Sequence, residues 1–145
     1  MEKIKIKLIR ETSKAPVYSS YDAAGADIFA DTDSDTEILP NMTAFIPSGF
    51  SVEIPRGYAG FIYPRSGLSS KRGLAPANKV GVIDSDYRGE VIVALHNHGT
   101  QAQVISPGER IAQLVIAPVF TPGFEICTEL SDTLRGEGGF GSTGT

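Results

Sequence analysis

The sequence predicts an all-β domain, and three observations support this. Sixteen glycines and nine prolines in 145 residues leave no stretch for a long helix. Residues 3–8 and 49–54 alternate between apolar and polar side chains, the period of a strand with one solvated face. Hydrophobic residues make up 41% and charged residues 21% of the chain, so one domain of this length can bury a core.

Composition also narrows the function classes. A net charge of −4 argues against a general nucleic-acid binder, which would carry a basic patch or a high isoelectric point. The single cysteine, Cys127, cannot form an internal disulfide, and we expect it to act as a small buried hydrophobe in a reducing compartment. Lysines interrupt the apolar residues of the N-terminus, unlike a signal peptide, and no run could span a membrane. We therefore expect a cytoplasmic protein without nucleic-acid or membrane partners.

Two acidic segments follow the first strand. Residues 23–30 are small and apolar except for Asp27, and an acid in such surroundings is either hydrogen-bonded or takes part in chemistry. Residues 31–37 resemble a calcium loop at first sight, but Thr36 replaces the glycine of the sharp turn and Met42 stands where a glutamate would bind the ion. We interpret this second segment as a solvated acidic turn.

Residues 64–73 form the most basic and hydroxyl-rich segment of the chain. A turn that opens into one short helix would direct backbone N–H groups, Arg65 and the Ser66 hydroxyl at an anion. The segment is not a Walker loop, because no Gly-Lys-Ser/Thr follows at the required spacing. A polar connector with solvated charges is the alternative interpretation.

Residues 81–89 join two β-rich apolar runs through a polar, glycine-bounded tip. This pattern predicts a β-hairpin whose second strand covers residues 90–97. Asp84 at the tip could act as a base in a partly dry pocket, although an ordinary turn explains Asp84 and Asp86 equally well. His96 and His98 share one face of the second strand, but without a third ligand we do not expect a zinc site.

The C-terminal third contains one more strand and an unusual tail. Arg110 and Gln113 interrupt an apolar strand, which indicates edge positions or ligand contacts. We expect the strands to end near residues 128–130. Residues 135–145 contain five glycines and are too flexible to fold alone. The tail is either disordered or a segment that closes over an anion, with Phe140 as its anchor.

Five segments, residues 24–30, 64–73, 78–89, 108–118 and 135–144, resemble in order and spacing the five motifs of the trimeric dUTP pyrophosphatases (dUTPases). This resemblance implies a distorted, β-clip-like jelly roll with one short helix, assembled as a homotrimer with an exchanged C-terminal arm. Residues 1–134 would form the domain and residues 135–145 a flexible lid. The implied reaction is Mg²⁺-dependent hydrolysis of dUTP to dUMP and pyrophosphate, which limits uracil incorporation into DNA and supplies dUMP for dTMP synthesis.

The resemblance also implies roles for individual residues of the nucleoside site and the metal site. Asp84 would be the general base that activates water for attack on the α-phosphorus, and Tyr87 would pack under the deoxyribose. The metal would be held by the triphosphate and waters, with Asp27 nearby and no direct protein ligand. The uracil would be read by Asn78 and by the backbone of Gly81, Val82 and Ile83.

Two further groups of residues would hold the phosphates and close the site. The phosphates would be bound by Arg65, Ser66, Gly67 and Gln113. In the tail, Phe140 would stack on the uracil and Arg135 would bind the γ-phosphate end, and the remaining substrate contacts would come from Gly141, Ser142 and Thr143.

Two other functions are compatible with the same fold. A dCTP deaminase would be expected to carry an Arg-Ser-Ser pattern and a catalytic glutamate, whereas here Gly67 follows Arg65 and Ser66. A non-catalytic, protein-binding member of the family would not need Asp84 or the tail, and both are present.

Overall fold

The computed structural model describes residues 3–139, which form eleven strands and one helix. The strands before the helix are β1 (Lys5–Leu8), β2 (Val17–Tyr18), β3 (Ala26–Phe29), β4 (Thr36–Ile38), β5 (Thr43–Glu53) and β6 (Tyr58–Tyr63). The helix is α1 (Ser66–Arg72). The strands after it are β7 (Leu74–Pro76), β8 (Gly81–Ile83), β9 (Glu90–Asn97), β10 (Gln103–Ile105) and β11 (Arg110–Pro118).

Two antiparallel sheets enclose the core. One has the order β1-β5-β9-β7, the other has the order β2-β3-β11-β6-β8, and β4 pairs with β10 in a small third sheet. Fully buried side chains come from both large sheets, among them Phe50, Val93 and Leu95 on one side and Ile28 and Ile111 on the other. The predicted all-β jelly roll with one short helix is confirmed.

Strand β5 is longer than expected. The alternating segment predicted at residues 49–54 belongs to a longer strand, Thr43–Glu53, whose pairing with β9 shifts between Pro47 and Ser51. Gly49 lies inside this irregularity with a φ of 75°, a backbone conformation that favours glycine. Its N–H donates to Glu90 Oε1 at 2.8 Å, so the irregularity is tied to the start of β9.

The predicted hairpin around residues 81–89 is wrong. Strand β8 pairs with β6 at the edge of the five-stranded sheet, whereas β9 lies in the other sheet between β5 and β7. Because β9 already has a partner on each side, it has no free edge for β8. Residues 84–89 therefore cross from one sheet to the other, and this places Asp84 and Tyr87 at the boundary between them.

The last strand also ends earlier than predicted, at Pro118 and not near residues 128–130. Residues 120–137 contain no strand or helix, are exposed, and pair with no strand of the described chain. Cys127 is consequently exposed, which corrects the expectation that it is buried. The tail residues Phe140, Gly141, Ser142 and Thr143 lie outside the described residues. Within residues 3–139, no helix is long and apolar enough to cross a membrane.

Candidate active site

The sequence-predicted residues of the described chain lie mainly around two cavities. The first, here called the basic cavity, has a volume of about 440 Å³. Its lining contains Arg65, Ser66, Gly67 and Gln113 together with Asp27. The other lining residues are Ser19, Ala23, Ala24 and Gly25. Residues from three separate segments therefore meet here, as an anion site with several donors requires.

Asp27 is the centre of the basic cavity's charge network. It is 8% exposed, and its two oxygens bind different arginines. Arg65 Nε donates to Oδ1 at 2.7 Å, and Arg110 Nη1 donates to Oδ2 at 3.2 Å. The carboxylate thus holds two guanidinium groups side by side, and each arginine keeps further N–H donors that can bind an anion.

A β-bulge brings Arg110 to this position. Arg110 pairs with Phe29 and Gln113 pairs with Asp27, with one extra residue of β11 between Arg110 and Ala112. Residues three apart in a regular strand point to opposite faces, but the extra residue returns Arg110 and Gln113 to the same face. Arg110 was recognised in the sequence as a polar interruption but was not placed in the site, because the bulge is invisible there.

Gln113 is held in place from two directions. Its Nε2 donates to the Pro64 carbonyl at 2.9 Å. Its side chain lies over Gly25, where an added Cβ would come within 2.5 Å of Gln113 Oε1. Gln113 is also not at an edge, because β11 runs between β3 and β6. The alternative of a ligand contact therefore fits its position in the cavity.

The short helix that carries Ser66 and Gly67 is anchored at its far end. Gly73 ends the helix in the left-handed conformation with a φ of 66°, and its N–H donates to Ser69 O. Arg72 pairs with Glu109, and its Nε donates to Gln103 Oε1 at 2.9 Å. Helix α1 is therefore linked to the turn that precedes β11, so the elements that supply Arg65 and Gln113 form one unit.

The second cavity, here called the loop cavity, has a volume of about 190 Å³. It lies between β8 and the start of β9, and it contains one carboxylate, Asp84, and one phenol, Tyr87. The complete lining consists of Ile62, Asn78, Gly81, Val82, Ile83, Asp84, Tyr87, Val91 and Ile92. Its size and its apolar walls suit a flat ring with few polar contacts.

The loop itself is held by its own backbone. Tyr87 N–H donates to Asp84 O at 3.2 Å, and Arg88 Nη1 donates to Ser85 O at 2.8 Å and to Tyr87 O at 2.9 Å. The Arg88 side chain supplies two of these three bonds, and the third joins two backbone groups of the loop. Asp84 is exposed and does not lie in a dry pocket, because no residue of the described range 3–139 covers that side of the loop.

An ion pair supports the strand irregularity behind this loop. Asp31 accepts hydrogen bonds from Arg10 Nε at 3.0 Å and Ser13 Oγ at 2.9 Å, and a Cβ at Gly49 would clash with its carboxylate. The hydrogen bond from Arg10 lowers the pKa of Asp31 from its ordinary value, although burial acts in the opposite direction. The acidic segment 31–37 is therefore partly structural and not only a solvated turn.

The two cavities share no lining residue, and the described part of the tail enters neither of them. Arg135 Nε donates to the Gly138 carbonyl at 2.7 Å within a local turn. Within residues 3–139, no group of three or more His, Cys, Asp or Glu side chains is arranged to hold a metal ion. The described part of the chain thus presents two separate cavities.

Comparisons with known proteins identify the family of this chain. A family model described as dUTPase matches residues 11–144. A deoxyuridine 5'-triphosphate nucleotidohydrolase of Desulfitobacterium hafniense is 48% identical in an alignment 145 residues long that covers 98% of this chain and 96% of that protein. A mutant dUTPase of Staphylococcus bacteriophage 80alpha, solved with dUpNHpp, has a TM-score of 0.91 and 30% identity, with 100% of both chains covered.

Another solved structure is a mutant dUTPase of phage phi11 of S. aureus that is described as revealing the coordination of a structural Mg(II) ion. It has a TM-score of 0.79 and 27% identity, and it covers 88% of this chain and 98% of that one. The fold matches solved dUTPases, the family model covers residues 11–144, and relatives align over nearly the full length of the chain. This chain therefore belongs to the dUTPase family.

Proposed function

We infer that this protein hydrolyses dUTP to dUMP and pyrophosphate. One observation carries the inference from the structure: a small, mostly apolar cavity with a single carboxylate and a phenol accompanies a separate cavity in which Asp27 holds the lining residue Arg65. The first suits a uracil deoxynucleoside and the second suits a triphosphate. Family membership supports the same substrate and reaction.

Asp84 is the proposed general base. Its carboxylate orients a water molecule and accepts a proton from it while the water oxygen forms a bond to the α-phosphorus. The bond between that phosphorus and the bridging oxygen to the β-phosphorus breaks, and pyrophosphate leaves with the bonding electron pair. Phosphoryl transfer of this kind depends on positioning and charge neutralisation more than on covalent catalysis. The exposure of Asp84 in the single chain leaves it open to this water.

The basic cavity is the proposed phosphate site. Arg65, held by Asp27, and Gln113, held by Pro64, would each present a remaining donor at a set position. Ser66 would add a hydroxyl. Gly67 lies beside them, and a Cβ added to it would meet nothing within 4 Å, so its lack of a side chain leaves room for a ligand.

The residues present fit a magnesium ion that arrives with the nucleotide. Mg²⁺ keeps several waters and is commonly bound through substrate phosphates, so it needs no protein cage. Asp27 is the single carboxylate in the basic cavity, and both of its oxygens already accept hydrogen bonds from arginines, so its further lone pairs would receive metal-bound water at most. When bound, the ion would neutralise negative charge on the triphosphate.

Selectivity is proposed to reside in the loop cavity. Tyr87 would pack under the deoxyribose, so that a 2'-hydroxyl of UTP would clash with its ring. The backbone of Gly81, Val82 and Ile83, together with Asn78, would read the uracil edge. Ile83 is 7% exposed and packs into the core, which restricts it to backbone contacts with the base. On this proposal the loop cavity would leave no space for a 5-methyl group, which would exclude dTTP.

A homotrimer with an exchanged C-terminal arm would bring the basic cavity and the loop cavity together in one active site. The basic cavity of one protomer and the loop cavity of another would face each other, and the arm of a third would supply the lid. Five large hydrophobic side chains of the arm support this proposal, because each is at least 88% exposed in the single chain. They are Phe120, Phe124, Ile126, Leu130 and Leu134.

The proposed lid is the tail of residues 135–145, in which Phe140 would stack on the uracil. Arg135 would exchange its local bond to Gly138 for the γ-phosphate, and the remaining donors would come from Gly141, Ser142 and Thr143. The lid would exclude water other than the nucleophile and complete the clamp of cations. A protein of this kind acts on free nucleotides, and we place it in the cytoplasm.

One assay tests the activity and its rivals together. Pyrophosphate release is measured with Mg²⁺ on dUTP, dCTP, UTP and dTTP, and ammonia release is followed on dCTP. We expect release from dUTP alone. Ammonia from dCTP would identify a deaminase, and no turnover of any nucleotide would identify a binding protein. Light scattering of the full-length protein tests the assembly, for which we expect about three times the mass of one chain.

A further inference from the structure

The aromatic ring that lines the loop cavity lies across a glycine two residues further along the chain. A Cβ placed on Gly89 would come within 2.3 Å of Tyr87 Oη, 2.5 Å of Cζ and 3.0 Å of Cε2. Distances this short cannot be accommodated unless the tyrosine ring moves. The ring therefore occupies the space that any other residue at position 89 would fill.

The backbone of Gly89 does not itself require glycine. Gly49, Gly57 and Gly73 have φ values between 66° and 87°, where a side chain is strained, but Gly89 is not among the positive-φ glycines of the described chain. Another residue could adopt the conformation of Gly89 without strain. Contact with Tyr87 is thus the feature that excludes a side chain there.

The tip of the ring is anchored as well. Tyr87 Oη donates a hydrogen bond to the Glu90 carbonyl at 3.0 Å. The Glu90 carboxylate in turn accepts the Gly49 N–H at 2.8 Å, so the carbonyl that receives the phenol belongs to a residue fixed against β5. The ring therefore lies close against Gly89 at the end of the loop, and its hydroxyl is fixed by the carbonyl of Glu90 at the start of β9.

We propose that Gly89 and Glu90 are positioning residues that set the sugar selectivity of the enzyme through Tyr87. The proposal rests on the proposed role of Tyr87 under the deoxyribose. Because the Tyr87 ring lies against Gly89, the distance between the ring and the deoxyribose would be fixed. The ring would then leave no space for a 2'-hydroxyl. A side chain at position 89 would push the ring out of this place, so discrimination against UTP would fall while the chemistry at Asp84 continued.

The test is a double-mutant cycle on the full-length protein, with kcat/KM measured for dUTP and UTP. Gly89→Ala is expected to lower the dUTP-to-UTP ratio by about 10-fold or more, the range in which pocket shape controls selectivity. In a Tyr87→Ala background the same Gly89→Ala change should leave the ratio unaltered, because the added Cβ then has no ring to displace. The ratio is the readout because a general loss of stability would lower both rates alike.

Tyr87→Phe tests the anchor separately and keeps the backbone intact. Removal of the hydrogen bond to Glu90 should lower the ratio by about 3-fold, the effect of one lost hydrogen bond of modest strength. An unchanged ratio in Gly89→Ala, with a reduced one in Tyr87→Ala, would overturn the positioning role of Gly89. An unchanged ratio in Tyr87→Phe would overturn that of Glu90. If Tyr87→Ala itself leaves the ratio unchanged, the proposed contact of Tyr87 with the deoxyribose is wrong. This outcome is distinguishable from failure of the positioning roles of Gly89 and Glu90.

Discussion

The two cavities of this protein are built in different ways. The basic cavity is held by charged side chains: Asp27 holds Arg65 and Arg110, and Arg72 joins helix α1 to Glu109. The loop cavity is held by strand pairing and backbone hydrogen bonds around Asp84 and Tyr87. A triphosphate needs several cations kept close together in spite of their mutual repulsion, and a central carboxylate achieves this. Recognition of a nucleoside instead requires a cavity whose lining keeps a fixed shape.

Both cavities nevertheless use a glycine in the same way. Gln113 lies over Gly25 in the basic cavity, and Tyr87 lies over Gly89 in the loop cavity. In each case the missing Cβ lets a lining side chain lie close against the backbone and lose its freedom to turn. This comparison predicts that substitutions which remove a charge impair the basic cavity most. Substitutions which move or reshape a side chain should impair the loop cavity most. Asp84 is the exception in the loop cavity, because its negative charge takes part in the proposed reaction.

The largest effect is expected for Asp84→Asn. The amide keeps the shape of the side chain but cannot accept a proton from water, and general base catalysis commonly contributes about 10²–10⁴-fold. We expect kcat to fall by about 10³-fold while nucleotide binding is retained, as measured by pyrophosphate release and calorimetric titration with a non-hydrolysable analogue. Asp86→Asn, two residues further along the same loop, is the matched control and should be near normal. Comparable turnover in both variants would contradict the assignment.

Deletion of residues 135–145 should have the next largest effect. The lid is proposed to bridge the two cavities, so its loss should lower kcat/KM for dUTP by about 10²-fold, the scale of a lost positioning element. Light scattering should show the same mass as the full-length protein, because the apolar residues of the arm precede the deletion. Full activity in the truncated protein would show that the two cavities close without the tail.

Asp27→Asn tests the charge network of the basic cavity. Loss of the negative charge weakens two charge-assisted hydrogen bonds and leaves Arg65 and Arg110 to repel each other. We expect KM for dUTP to rise by about 10-fold, with a smaller change in kcat. Asp33→Asn removes an exposed partner of Arg10 instead, far from either lining, and serves as the control. Equal effects of the two substitutions would argue that Asp27 does not position the arginines.

The smallest effect concerns acid stability behind the loop cavity. The pKa of Asp31 lies below its ordinary value of 3.8 in the folded chain, so the unfolded chain takes up this proton first as the pH falls. The ion pair with Arg10 therefore stabilises the fold fully above about pH 3.8, and the contribution is lost as the pH falls through the lowered pKa.

Thermal unfolding of the wild type and Asp31→Asn at one protein concentration provides the measurement. We expect the variant to unfold a few degrees lower at pH 7 and the difference to shrink below about pH 3.8. A difference that stays constant across this range would show that the pKa of Asp31 is not linked to folding.

The sequence by itself determined the fold class, the short helix and the identity of the main candidate residues. Glycine and proline spacing excluded long helices, and alternation marked β1 and the second half of β5, because these signals are local. The five motifs, with Asp84, Arg65 and Gln113 in them, were visible because each is a short run of adjacent residues. What these residues do individually remains a proposal.

Only the tertiary structure decided how those residues are arranged. The pairing of β8 with β6 and of β9 with β5 and β7 depends on which edges are free, which no local pattern records. The bulge that turns Arg110 towards Asp27 is one extra residue in the pairing of β11 with β3. The contact between Tyr87 and Gly89 depends on the direction of the tyrosine side chain. Composition can specify that a site is basic or apolar, but strand pairing and backbone contact determine which side chains meet.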